Sequence, residues 1–159
     1  MSEPVEVHVP VEPNDSGYPP LKEERLWCIP QDSGTYLVDN IPFYATDISL
    51  GDEIRAAKQN GELWFQAIVN PSKNTTVHVF ARRESFGPVI IPRMRSFGGL
   101  TEKMEGSDLV AVSFPPTADL AGALAFLDKE SAAGNLAFEE SAVRYRTGAS
   151  RADGAPLTR

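Results

Sequence analysis

Hydrophobic and polar positions alternate from the start of the chain, with Val5, Val7, Val9 and Val11 separated by Glu6, His8 and Pro10. That period of two predicts a half-buried strand, and its prolines predict an edge position. The run Pro13 to Pro20 is rich in turn residues. Leu26, Trp27, Cys28 and Ile29 then favour a strand between Arg25 and Pro30. Asp32-Ser33-Gly34 supplies turn chemistry before Thr35 to Val38 returns as the second arm of a hairpin. Asn40 to Ala45 is apolar but broken by Pro42, so it reads as an ordered connection packed on a barrel-like core. Glu53 to Lys58 and Glu62 to Val69 flank Asn60-Gly61, the strongest short-range hairpin signal.

After the turn cluster Asn70 to Asn74 the pattern changes. Thr75 to Ala81 alternates and is β-branched, predicting a strand. Pro88 opens a helix that Gly98-Gly99 ends, although Pro92 disturbs its first turns. Leu100 to Glu105 and Leu109 to Phe114 form a hairpin around Gly106-Ser107-Asp108. The clearest element follows: Thr117 caps a helix, Asp119 suits its dipole, Leu120, Leu124 and Leu127 share one face, and Gly134 or Asn135 ends it. Leu136 to Glu140, extending toward Tyr145, is the last strand. These elements predict an α+β chain: a small SH3-like β-barrel or twisted sheet over 1–72, then a ferredoxin-like βαββαβ plait over 73–146. The polar, unpatterned 147–159 is expected to be a disordered tail.

Composition narrows the classes. A chain of 159 residues, 42% hydrophobic and 23% charged, has the balance of a folded protein rather than a disordered one. Its 15 Lys+Arg against 22 Asp+Glu give a net charge of -7, which opposes a polyanion and argues against nucleic acid as the partner. The acidic start Met1-Ser2-Glu3-Pro4 does not read as a secretory signal, and no window approaches a membrane helix. With Cys28 as the one cysteine, no intrachain disulfide and no cysteine-rich metal site can form. The expected setting is the cytoplasm.

The residues that could carry chemistry are few. His8, His78 and Cys28 are the candidate nucleophile and base groups, and His8 and Cys28 lie on strands that could neighbour each other. Cys28 sits between Trp27 and Ile29, however, where a thiol packs rather than reacts. No His or Cys pair has metal-ligand spacing. Glu23-Glu24 and Glu139-Glu140 read as solvated charges, since adjacent strand residues face opposite sides. Arg82, Arg83, Arg93 and Arg95 bracket a strand-to-helix loop with Gly87 near the helix start, an arrangement suited to an anion. Phe80 and Phe114 mark where an RNA-binding plait would stack bases, without the basic-aromatic motif that accompanies them. Trp27, Tyr36, Phe43, Tyr44, Trp64 and Phe65 read as barrel core, with Trp27, Tyr44 and Trp64 the candidates for a protein-binding face.

Leu26-Trp27, Asn40-Ile41-Pro42-Phe43, Gly51-Asp52, Gly61 to Trp64, and Leu109 to Val112 leading into Pro115-Pro116 and Ala118-Asp119 together resemble the bacterial family known as domain of unknown function 4265. The resemblance spans about residues 5 to 145. It implies no activity, cofactor or site residue.

Three functions fit this inventory. The first is a non-enzymatic binding protein, an immunity-type or regulatory partner of another protein. The second is a sensor of a small anionic ligand using the Arg82 to Arg95 region, and the third is an RNA-associated module. Neither a cofactor nor a metal is expected.

Overall fold

The computed structural model describes residues 3–145, so the expected disordered tail lies outside the described residues. The chain divides into two compact units between Ser72 and Lys73. Among the described residues, no helix is long and apolar enough to cross a membrane.

The first unit is a closed five-stranded barrel of β1 (Val5–Pro10), β2 (Glu23–Pro30), β3 (Tyr36–Val38), β4 (Glu53–Gln59) and β5 (Glu62–Asn70). Strand β1 runs antiparallel to β2 and parallel to β5. It is therefore not the edge its prolines predict: closure gives it a neighbour on each side. Only Val7 and His8 pair with β5, so Pro10 lies where its missing N–H is not required. Strand alternation sends Val7, Val9, Leu26, Cys28, Val38 and Ile54 into the core. The β4–β5 turn places Asn60 at φ 51 and Gly61 at φ 82, the positive values that a two-residue hairpin demands.

The segment that contains Ala45 and Ile48 packs on this barrel, with both residues buried in its core. Two inward carboxylates hold it. Glu24 accepts the N–H groups of Phe43 at 2.6 Å, Tyr44 at 2.9 Å and Ala45 at 2.8 Å. Asp52 accepts those of Ser49 and Ser72, each at 2.8 Å. Glu24 is thus not a solvated charge. It stands opposite Val9, on the inner face, where an ionised group persists only if backbone donors surround it.

The second unit holds a four-stranded antiparallel sheet in the order β7-β8-β6-β9. Its elements in chain order are β6 (Thr75–Ala81), α1 (Gly87–Ser96), β7 (Leu100–Lys103), β8 (Leu109–Phe114), α2 (Leu120–Ala132) and β9 (Leu136–Ala142). A 3₁₀ turn, Glu84–Phe86, leads into α1. Both helices cover one sheet face: Ile90, Met94, Leu120, Leu124 and Leu127 join Val77, Val79, Val112 and Phe114 in a single core. Phe114 is fully buried there, so it cannot stack a base. The cap of α2 is Asp119, whose Oδ1 accepts the Gly122 N–H at 2.9 Å, and not Thr117. A turn closed by Ala118 N–H to Pro115 O delays the helix start past Thr117. On the face away from the helices His78 stands opposite Glu139. Both are buried, so Glu139 is not a solvated charge either.

Candidate functional site

Because Val5, Val7 and Val9 point into the barrel, Glu6 and His8 must point out. Register then decides their neighbours. Glu6 lies opposite Trp27 and His8 opposite Arg25 on β2, while His8 pairs with Trp64 on β5. The outer face of β2, β1 and β5 thereby gathers Trp27, Glu6, Arg25, His8, Trp64 and Glu62.

His8 is the centre of this face. Its ring stacks on Trp64 with centroids 5.0 Å apart, and its side chain is 8% exposed. Nδ1 lies 2.9 Å from Glu23 Oε2, and a carboxylate only accepts, so Nδ1 carries the hydrogen. Nε2 stands 3.9 Å from Glu62 Oε2, beyond hydrogen-bonding distance. An open groove of about 710 Å³ adjoins this face. It is lined by the apolar side chains of Val5, Tyr36, Ala56 and Leu63 together with Glu6, His8, Arg25, Lys58 and Glu62. Among the described residues, no three His, Cys, Asp or Glu groups are placed to hold a metal ion.

Of the candidate binding aromatics, Trp27 and Trp64 share this face. Trp27 is 51% exposed, which overturns its reading as core, and its backbone N–H is fixed to Asn40 Oδ1 at 2.7 Å. Tyr44 belongs elsewhere: it lies in the Glu24-held segment, edge-to-face with Tyr18 at 6.1 Å.

The four arginines are not gathered at one helix end. Arg82 and Arg83 precede the 3₁₀ turn, whereas Arg93 and Arg95 occupy the last turn of α1. A ten-residue helix is about 15 Å long. Arg93 lies over the Phe126 ring at 4.8 Å and near that of Phe97 at 5.9 Å, and Arg95 Nε donates to Thr101 Oγ1 at 3.0 Å. Cations there complement the negative helix end.

His8 and Cys28 do not meet. Cys28 is opposite Val5 and faces the core, while His8 faces outward. Burial, with the nearby Asp39 charge adding to it, pushes the Cys28 thiol up to about 12. It stays protonated near neutrality and is no nucleophile there. The Glu23–His8–Glu62 arrangement is what sequence reading missed. The alternation of β1 already turned His8 outward, but nothing in the sequence paired it with β5.

A crystal structure of a hypothetical protein from Neisseria gonorrhoeae is similar to this chain, at 19% identity and a TM-score of 0.75, over 92% of this chain and 99% of that one. The likeness concerns fold alone. No curated protein matches. A family model described as domain of unknown function (DUF4265) matches residues 24–138, a span that runs from β2 into β9 and holds most of the residues around the groove, and the chain belongs to that family.

Proposed function

We propose that the protein is a non-enzymatic binding module, an immunity-type or regulatory factor, that recognises another protein through the outer face of its barrel. The observation that carries this reading is Trp27, half exposed on β2 and directly opposite Glu6, a residue of the groove's lining. Large aromatics dominate protein interfaces because they bury much area at small entropic cost. Strand order β7-β8-β6-β9 with both helices on one face supports a ferredoxin-like plait, and the small closed barrel supports an SH3-like class. The division at Ser72 supports domains at 1–72 and 73–146. A cytoplasmic setting completes the reading, supported by a single cysteine kept as a neutral buried thiol.

The anion-sensor alternative has less support, since its arginines stand at opposite ends of α1. The RNA alternative is left with Phe80 but not Phe114. The test is capture from the native host with the full chain as bait. A protein retained by the wild type and lost with Trp27→Ala, at unchanged circular dichroism, is the expected result. Identical captures by both chains would refute the assignment of this face.

A further inference from the structure

We infer that Asn60, at the tip of the β4–β5 hairpin, is a site of spontaneous modification: its side-chain amide is lost to a succinimide that water reopens as isoaspartate, and the product loosens the hairpin beside the groove. Asn60-Gly61 is the one Asn-Gly step in the chain. The residue after the asparagine supplies the attacking nitrogen, and glycine has no Cβ to block the approach. Both residues are exposed, and nothing lies within 4 Å of where a Gly61 Cβ would stand. Among the described residues, neither the Gly61 N–H nor the Asn60 side chain is tied up in a hydrogen bond. The other asparagines are held or hindered. Asn14 Oδ1 accepts the Ser16 and Tyr18 N–H groups, Asn40 Oδ1 accepts that of Trp27, and Asn135 Nδ2 donates to Glu130. Asn70 precedes Pro71, which has no N–H to give up, and Asn74 precedes Thr75, β-branched and buried.

The Gly61 nitrogen forms a bond to Asn60 Cγ, the Cγ–Nδ2 bond breaks, and Nδ2 departs as ammonia with the proton that Gly61 gives up. Water then adds to one of the two ring carbonyls. Opening at Cγ leaves aspartate, whereas opening at the backbone carbonyl leaves isoaspartate, whose main chain runs through Cβ and Cγ. A two-residue turn has no slack for that extra carbon. Asn60 sits at φ 51 and Gly61 at φ 82, and Gln59 pairs with Glu62 immediately on either side. Strand β5 carries the change onward. Leu63 and Trp64 pair with Lys58 and Ala57 on β4 and with Val7 and His8 on β1, and that second pairing is all that joins β1 to β5. Gly61, Glu62 and Leu63 also line the groove, where either product adds a carboxylate to a chain whose net charge is already -7.

The test incubates the full folded chain at neutral and at mildly alkaline pH and follows every asparagine by peptide mass, Asn60 lying in the tryptic peptide 59–73. Asn60 should be the first asparagine to show the mass of an acid in place of an amide. Its rate should rise with pH, because the deprotonated nitrogen attacks, and Asn60→Gln should stop the change at that position, because the longer side chain closes a larger ring more slowly. The isoaspartyl chain, separated from the unmodified one by its added charge, is then unfolded in urea beside Asn60→Asp, which has the same charge without the extra main-chain carbon. Its midpoint should lie about 0.5 M below that of Asn60→Asp. Another asparagine converting before Asn60, or a rate that does not rise with pH, would overturn the assignment of the site. Equal midpoints would overturn the loosening of the hairpin.

Discussion

Replacing Glu24 should release the Phe43-to-Ala45 segment from the barrel, and the size of the effect follows from its three bonds. Glu24 is 7% exposed, and its two oxygens satisfy the N–H groups of Phe43, Tyr44 and Ala45. In Glu24→Ala these donors remain while their acceptor disappears. A buried unsatisfied donor costs about 1–3 kcal/mol. Ala45 is buried, whereas Phe43 and Tyr44 are only half-buried and recover part of the loss through water. The sum is about 3–5 kcal/mol. Removing a buried charge would offset this only if its partners left with it, and backbone amides cannot leave. Glu24→Gln should cost less, about 1–2 kcal/mol, because one oxygen still serves Tyr44 and Ala45 while the amide group opposes the Phe43 N–H.

Urea unfolding followed by tryptophan fluorescence reads this directly, since both tryptophans, Trp27 and Trp64, lie in the barrel unit. With a slope of about 2 kcal/mol per molar urea, Glu24→Ala should lower the midpoint by about 2 M, and Glu24→Gln by less than about 1 M. Amide exchange at residues 43 to 45 should accelerate in the same order. A Glu24→Ala midpoint within about 0.3 M of the wild type, with those amides still protected, would show that the carboxylate does not hold the segment.

The remaining predictions concern the cysteine, a helix cap and a close contact. The unfolded Cys28 thiol ionises near pH 8.5, whereas the folded one is held up to about 12. Its contribution to stability is therefore whole below about pH 8.5 and declines as pH rises toward the folded value; urea profiles from pH 8 to 10 should decline less steeply in Cys28→Ala, and iodoacetamide at pH 8 should label the wild type only in denaturant. Asp119→Ala should cost about 1 kcal/mol by losing the cap of α2, while Thr117→Ala stays within about 0.5 kcal/mol; equal effects in calorimetry would reverse the cap assignment. Gly99→Ala would place a methyl group 2.7 Å from Val112 Cγ1, 2.9 Å from Phe114 Cε1 and 3.1 Å from the Met94 carbonyl, and should cost about 1–3 kcal/mol in thermal melts; an unchanged melting temperature would contradict the packing there.

What the sequence made legible is what has a short period. Alternation places Val7 and Val9 inside, Asn60-Gly61 marks its hairpin, and Leu120, Leu124 and Leu127 mark one helix face. What stays illegible depends on partners distant in the chain. Glu24 reads as a solvated charge because the donors that surround it are 19 to 21 residues away. Trp27 reads as core because a β-strand aromatic usually is, and only the inward position of Leu26 and Cys28 turns it outward. The prolines of β1 suggest an edge because closure cannot be inferred from one strand. Thr117 loses its capping role to a local turn at Pro115, and the four arginines look like one cluster because their numbers are close, although α1 separates them.

Two classes of glutamate on one barrel show how parity divides structure from function. Glu24 and Glu6 differ in neither chemistry nor strand type, and each stands on a strand flanked on both sides. Facing inward, Glu24 meets three amide donors and is spent on holding the fold. Facing outward, Glu6 and Glu62 share a groove with His8, Arg25 and Lys58. A fold that needed these groups for stability would have given them donors of its own, as it gives Glu24. Glu6 and Glu62 therefore shape the surface of the barrel rather than its core. Substituting the inward glutamate should change unfolding, and substituting the outward pair should change binding while leaving the urea midpoint where it was.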